Sequence, residues 1–386
     1  MSGWWRSSYR VTHLYVYYDF VIGSAIPRLP GTITSVAKGL PGWQSSLNGT
    51  CLIMKQEKGA FIVWRKFQRR VEVLAPYLDL EIWYFYYPWE DQTKLLKALS
   101  YIPKSISTLR RLFQKRPALV FVQFPPPPAL YCVALYAWLT GSRYVSDCHM
   151  GLPNAGWLKW LGTKELLRKG LILVHNEHVV EQTIRSLDRA PIVIRDGIAR
   201  KSSMRPGRGT LLEDLGLSPK TYVIVPWSFT FDEPLKELID AAKRLPEIVF
   251  VMTWHSERIP KATRTGLPSN LRLTGYLCVD DFNDIFANAG VALVLTVQEA
   301  TQLSGMQEAM AFEIPAVVSD LKTTRFLYRR YPVYVENDSN SIVQGIRYAF
   351  GNRLALVERM RTLRIETEEE FSVQLAALKS SLQLPD

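Results

Sequence analysis

The stretch Ala292–Asp320, ALVLTVQEATQLSGMQEAMAFEIPAVVSD, decides how the rest of the chain is read. Ala292 to Leu295 is a short run of small and branched apolar residues, the composition of a strand buried on both faces. Thr296 to Ser304 is polar and carries Glu299 and Gln302. Gly305 to Phe312 reads as a short helix with Met306, Ala309, Met310 and Phe312 on one face and Glu308 among them. Pro315 leads into a second apolar run, Ala316-Val317-Val318, stopped by Ser319-Asp320. A helix that short between two buried strands predicts an open parallel sheet. In such sheets ligands bind at the carboxyl ends of the strands, where helix N-termini offer free N–H groups to anions. A carboxylate on that helix is placed to hold sugar or ribose hydroxyls.

The same alternation extends in both directions. Upstream, strands are expected at Ala60–Val63, Glu81–Tyr86, Ala118–Gln123, Tyr144–Asp147, Leu171–Val174 and Ile192–Ile194. Helices are expected at Leu95–Lys115 and Leu130–Leu139. The first of these sets Ile102, Ile106, Leu109 and Phe113 on one face and Lys104, Arg110, Arg111 and Lys115 on the other. Lys201 to Gly209 is basic, polar and rich in Gly and Pro, the composition of a linker. Beyond it come strands at Tyr222–Pro226, Val249–Thr253, Leu271–Gly275 and Pro332–Val335. Helices are expected at Pro234–Arg244 and Asp280–Ala289, and a tail from Ser341 onward is helical in two pieces. Repeated βα units in both halves predict two parallel-sheet domains facing a cleft. The division expected is 54–203, 204–350 and terminal helices at 351–386. Residues 1–53, rich in Trp, Tyr, Gly, Pro and Ser and without periodicity, are expected to be an irregular extension outside the core fold.

The chain has 386 residues, 47% of them hydrophobic, enough for two cores. A net charge of +11 points to an anionic partner: a phosphorylated ligand, an acidic membrane surface or a nucleic acid. No RNA-binding signature, zinc spacing or recognition-helix pattern supports the nucleic acid. Cys51, Cys132, Cys148 and Cys278 are scattered and have no metal-ligand spacing, so they read as buried reduced thiols and no metal site is expected. No apolar run reaches the ~18 residues of a membrane span. Arg6 and Arg10 precede an apolar patch that Asp19 interrupts, which does not fit a cleaved signal peptide.

Six segments in order, VFVQFPPPPALY, RYVSDCHMG, LILVHNEHV, VPWSFTFDEPLKELIDAAK, LRLTGYLCVDDFNDIFANAGVALVLT and GMQEAMAFEIPAVVSD, carry a resemblance. From about Phe61 to Leu327 the chain resembles GT-B glycosyltransferases of the family 4 type, closest to bacterial polysaccharide- and glycolipid-building members. The resemblance implies two Rossmann-like domains. It implies a nucleotide-sugar donor held mainly by the C-terminal one and an acceptor, lipid-linked or an oligosaccharide, held mainly by the N-terminal one. It also implies retention of anomeric configuration. The nucleotide sugar is a co-substrate, and no cofactor is expected. A cytoplasmic location at the inner face of the plasma membrane follows as an expectation.

The resemblance assigns Glu308 to the second acid of a paired-glutamate motif, which holds ribose. The first acid of that pair falls at Ala300, with Glu299 beside it, so a sugar-contacting acid is either displaced to Glu299 or absent. Thr301, Gln302, Ser304 and Gly305 complete the loop expected to meet the donor. His149, after the strand ending at Asp147, matches a histidine that reaches the donor sugar, and Asp147 is expected as its orienter or as a capping acid. Ser228 and Glu233 stand where many relatives carry an arginine and a lysine that grip the diphosphate. Ser228 and Phe229 remain as weaker oxyanion donors, with Arg195, Lys236 and Arg325 as substitute cations. Arg65, Lys66, Arg69 and Arg70 replace a turn often rich in glycine and are expected to contact a pyrophosphate-linked acceptor or the membrane. The missing cations and the shifted acid also motivate a second reading, a transferase-like partner or scaffold subunit without catalysis.

Overall fold

The structure is a computed structural model, and it describes residues 59–148, 155–198, 211–227, 233–253 and 266–384. The extension expected at 1–53 and the linker at 201–209 lie outside the described residues.

Six strands form the first sheet: β1 (Gly59–Val63), β2 (Leu80–Tyr84), β3 (Leu119–Gln123), β4 (Arg143–Asp147), β5 (Leu171–Val174) and β6 (Ile192–Val193). All run parallel, in the order β2-β1-β3-β4-β5-β6. The strands are short apolar runs because both faces are covered. Alternate residues divide between two cores. Ala60 and Ile62 of β1 pack with α2 (Lys94–Lys115) and α3 (Pro127–Thr140) on one side. Phe61 and Val63 pack with α1 (Arg69–Leu74) on the other. The helical layer beside α2 and α3 continues with α4 (Ala155–Leu158), α5 (Thr163–Lys169) and α6 (Val180–Leu187). The proline run that was expected to stop β3 also starts α3, whose first helical position is Pro127, where a missing N–H costs nothing.

The second sheet contains β7 (Tyr222–Val225), β8 (Val249–Met252), β9 (Leu271–Leu273), β10 (Val291–Val294), β11 (Ala316–Ser319) and β12 (Val333–Val335). These too are parallel, ordered β12-β11-β10-β7-β8-β9. Its helices are α7 (Leu211–Asp214), α8 (Leu235–Lys243), α9 (Val279–Ala287), α10 (Ser304–Phe312), α11 (Lys322–Tyr328) and α12 (Ser339–Gly351).

The tail is helical in two pieces, α12 and α13 (Arg353–Leu382), but α13 does not belong to one domain. Leu356, Met360 and Leu363 pack into the second domain's cores, and Phe371, Leu375, Leu378 and Leu382 pack under the first sheet. Near the crossover Glu370 pairs with both Arg195 and Arg329. The helix is a strut that holds the two sheets in one arrangement.

Helix α2 departs from expectation. Its buried residues are Ser100, Lys104, Thr108 and Leu112, one per turn. Lys104 is 1% exposed, with Nζ 2.6 Å from Glu90 Oε2, and Thr108 accepts a hydrogen bond from the Trp64 indole at 3.0 Å. The cation expected on a solvated basic face is therefore inside. Ile102 and Ile106, each 63% exposed, are outside. The thiols also differ: Cys132 and Cys148 are buried, but Cys278 is exposed, its Sγ accepting from the Asp281 N–H at the start of α9. Cys51 lies outside the described residues.

Candidate functional site

The carboxyl ends of the strands of both sheets meet across a cleft, and helix α10 enters it from the second domain. It begins at Ser304, directly after the loop that follows β10. Gly305 makes the approach possible: a Cβ there would lie 2.6 Å from Pro226 Cγ and 3.0 Å from Val294 Cγ1, inside van der Waals contact with the ends of β7 and β10. One turn on, Glu308 is 6% exposed. Its Oε1 accepts from Arg69 Nε at 3.0 Å, and Arg69 Nη2 donates to Asn283 Oδ1 on α9 at 3.3 Å. Arg69 is the first residue of α1 in the other domain. Burial pushes the Glu308 carboxyl above its ordinary range, and the guanidinium partly offsets that.

The loop between β10 and α10 is fixed on both sides. From behind, the Glu299 carboxylate accepts from the Lys322 and Thr323 N–H groups at 3.0 and 2.9 Å and from the Thr323 hydroxyl at 2.6 Å. It thereby caps α11: burial, the largest single effect, pushes its carboxyl up, but the hydrogen bonds to Thr323 and Lys322 together outweigh it and hold the carboxyl below the usual range. From in front, Ala300, in the left-handed region at φ 59°, presents its carbonyl to the first domain. Asn176 Nδ2 donates to it at 3.1 Å, and His175 Nε2 lies 3.3 Å away. Gln302 Oε1 accepts the Asp196 N–H at 3.1 Å. The Leu303 N–H donates to the Tyr328 hydroxyl at 3.0 Å. Thr301 is half-buried and Ser304 exposed. The expected donor loop thus makes the interdomain contact, with Glu299 engaged on α11 rather than turned into the cleft.

The basic turn after β1 also differs from expectation. Arg70 is no surface residue: it is 4% exposed. Its Nε donates to Asp147 Oδ1 and Oδ2 at 3.0 and 3.1 Å, and its Nη1 to the Ile194 carbonyl at 2.9 Å and Asp196 Oδ1 at 2.6 Å. Burial alone would lower its pKa, but the two carboxylates overturn that and hold it charged. Arg70 ties the ends of β4 and β6 to α1. Asp147, expected to orient His149, is engaged there, and its full burial explains why a guanidinium partner is needed. Arg69 reaches Glu308 and Lys66 lies 4.4 Å over the Tyr276 ring, so both contact the second domain. Of the four, Arg65 is exposed without an ion pair among the described residues. His149, Ser228 and Phe229 lie outside the described residues.

The substitute cations divide similarly. Arg195 is held by Glu177 and Glu370, and Arg325 by Asp320, whereas Lys236 is exposed. The segment around Asn176, flanked by His175 and His178, resembles an interdomain face in sequence and contacts Ala300 here, whereas Arg69 as the partner of Glu308 and Asp196 as a group that holds the loop are not legible in the sequence. The only signal for them was their position just after predicted strands. Several buried polar atoms at strand ends have no hydrogen-bond partner among the described residues: Gln123 Nε2, Ser146 Oγ, Asn176 Oδ1 and Trp227 Nε1. Such groups are costly unless a water or ligand satisfies them. Among the described residues no cluster of His, Cys, Asp and Glu is arranged to hold a metal ion.

Two six-stranded parallel sheets, apposed at their strand ends and joined by a returning C-terminal helix, define the GT-B fold, and the chain has that fold. It is similar to Anabaena HepE, solved with UDP and glucose: TM-score 0.64, 13% identity, covering 85% of this chain and 99% of HepE. It is also similar to sucrose-phosphate synthase from Thermosynechococcus elongatus, with TM-score 0.61, 11% identity and coverage of 84% and 99%. A putative UDP-N-acetylglucosamine 2-epimerase from Listeria monocytogenes matches with TM-score 0.55, 13% identity and coverage of 86% and 99%. No protein-family model matches the chain, and no curated protein matches it. Identities this low show a common fold, and a fold hosts more than one reaction.

Proposed function

We propose that the protein is a glycosyltransferase that moves a sugar from a nucleotide-sugar donor to a lipid-linked or polysaccharide acceptor, with retention of configuration. The observation that carries this reading is Glu308: a buried carboxylate on the helix that follows β10, whose partner among the described residues is Arg69 of the other domain. The HepE structures with UDP and with UDP-glucose favour a uridine nucleotide as the donor's leaving group.

In this reading the ribose hydroxyls take the place of Arg69 on Glu308. The released guanidinium then lies beside the departing diphosphate and supplies the positive charge missing at positions 228 and 233. Closure of the two lobes excludes water, which would otherwise hydrolyse the donor. The unpartnered groups at Gln123, Ser146, Asn176 and Trp227 are available to hydroxyls of donor and acceptor. This reading includes work at the cytoplasmic face of the plasma membrane, in polysaccharide or glycolipid synthesis, as the resemblance implies.

Binding to the folded state raises the melting temperature, by roughly 2.7 kcal/mol of stabilisation at a hundredfold excess over Kd. A thermal-shift series with UDP, UDP-glucose, ADP-glucose and GDP-mannose should therefore rank the donors, with uridine nucleotides first. Glu308→Ala should abolish the shift. A variant that keeps it in full removes Glu308 from the site.

One observation favours a second reading, a non-catalytic partner subunit. Glu299, Ala300, Gln302 and Glu308 are all bonded to other parts of the protein. No shift with any nucleotide sugar, and no donor hydrolysis by purified protein, would select that reading.

A further inference from the structure

Helix α2 is packed inside out. Leu95, Leu99, Ile102, Ile106, Leu109 and Phe113 recur at alternating spacings of four and three, one continuous stripe along the helix. The buried residues Ser100, Lys104, Thr108 and Leu112 lie on roughly the opposite side. A helix covering a sheet ordinarily buries such a stripe. Here Leu95 is 70% exposed, and Ile102 and Ile106 are nearly as open. The polar inner face is satisfied by Glu90 and Trp64, so nothing in the core calls the stripe inward.

The neighbouring elements repeat the pattern. Helix α3 has no charged residue and exposes Leu135, Trp138 and Leu139, with Trp138 at 80%. The turn between α4 and α5 exposes Trp160 and Leu161, the latter at 96%. These elements lie side by side on one face of the first sheet. Phe113 on α2 meets Tyr136 on α3 at 5.4 Å between ring centroids. The Tyr131 hydroxyl on α3 donates to the Leu161 carbonyl at 2.8 Å. A groove of about 520 Å³ between α3 and α5 is lined by Leu135, Trp138, Leu166 and Lys169 among others.

The charge on this layer is almost all positive. Residues 94–116, 127–142 and 155–169 contain a single acidic residue, Glu165, and it is paired with Arg168. Lys94, Lys97, Arg110, Lys159 and Lys164 are exposed, without an ion pair among the described residues. A protein–protein interface is depleted of lysine at its core, whereas indoles and leucines flanked by lysine and arginine suit the boundary between acyl chains and anionic headgroups.

We propose that the outer face of the α2–α3–α5 layer docks onto an anionic phospholipid bilayer, with Ile102, Trp138 and Leu161 entering the headgroup region and the lysines pairing with phosphate. The proposal deepens the membrane location in the function proposed above by naming the surface; the cleft takes no part in it, so vesicle binding and glycosyl transfer can fail independently. The test is co-sedimentation of the full chain with vesicles of phosphatidylcholine alone or with about 30 mol% phosphatidylglycerol. The chain should sediment with the anionic vesicles only and be released by about 0.5 M salt. The triple substitution Ile102→Ser, Trp138→Ser, Leu161→Ser should lower partitioning at least about tenfold with an unchanged circular dichroism spectrum. Leu354→Ser with Val373→Ser, exposed positions on α13, should leave it unchanged. The charge reversals Lys97→Glu, Lys159→Glu and Lys164→Glu keep the apolar face and should abolish binding too, which covers a triple variant that fails to fold. Undiminished binding by the folded triple variant or by the charge-reversed one overturns the proposal. So does an absence of binding to anionic vesicles. A wild-type dimer that the triple variant converts to monomer assigns the face to a second copy of the chain instead.

Discussion

The cleft end and the outer helical layer of the first domain treat the same residue types in opposite ways. At the cleft end every described arginine but Arg65 has a carboxylate partner: Arg70 has Asp147 and Asp196, Arg69 has Glu308, and Arg195 has Glu177 and Glu370. On the outer layer lysines stand free of ion pairs among the described residues, and large apolar side chains face solvent. Burial explains the difference. A charge removed from water must be paired or it destabilises the fold, whereas a solvated one costs little and stays available to a partner. Cations at the cleft end serve architecture and domain contact first. Those on the outside contribute almost nothing to stability and are the ones left for recognition.

The sharpest way to break this contrast is Arg70→Ala. It leaves Asp147, fully buried, and most of Asp196 without a counter-charge, and should cost about 3–5 kcal/mol, read as a shift of the urea midpoint. Pairing Arg70→Met with Asp147→Leu should recover a large part of that loss, because the carboxylate goes with its partner.

Arg69→Ala should cost less, about 1–2 kcal/mol, since the arginine is partly solvated. It removes the group that, among the described residues, lowers the Glu308 carboxyl against burial, so that carboxyl should titrate at a still higher pH, visible in the side-chain carboxyl NMR signal. The sign follows from linkage. A carboxyl whose folded pKa is raised binds more protons in the native state, and stability falls as pH rises from the ordinary value of 4.5 to the raised one. The gap in stability between wild type and Arg69→Ala should therefore widen over that window.

Glu299→Gln tests the loop from its other side. Its carboxyl is held down, so its contribution is present above 4.5 and is lost as pH falls through the folded value. The substitution should cost about 1 kcal/mol at neutral pH, discounted for exposure, and nothing once the wild-type carboxylate is protonated. Paired thermal melts at neutral and acid pH read this directly. Smallest of all, Trp138→Ser should change stability by no more than about 0.5 kcal/mol, despite removing one of the larger side chains on the surface. A much larger loss by chemical denaturation would mean that the outer layer is structural after all.

Much of the architecture could be read from local pattern. The strands predicted at Leu171–Val174 and Ala316–Val318 lie within one residue of those observed, because a run of apolar residues between polar stops has few other uses. Where the reading missed, a neighbour decided. Strand β2 was expected to reach Tyr86 but ends at Tyr84, which pairs with Val63, the last residue of β1. Helix α11 went unread because KTTRFLY has weak periodicity. It forms with Glu299 on its first N–H groups and Leu327 and Tyr328 packed into the core. At the site, Glu308 was legible from its place on a helix after a buried strand, but Arg69, 239 residues away, was not.

The sequence alone determined the alternation of strands and helices, and with it two parallel sheets and a cleft between their strand ends. Those follow from periodicities that each segment carries within itself. Tertiary structure alone decided which face of α2 looks outward, which arginine answers which carboxylate, and that the loop after β10 spans the cleft. The reason is that the free energy of burying a charge or exposing a leucine depends on what is packed against it, and those neighbours come from distant parts of the chain.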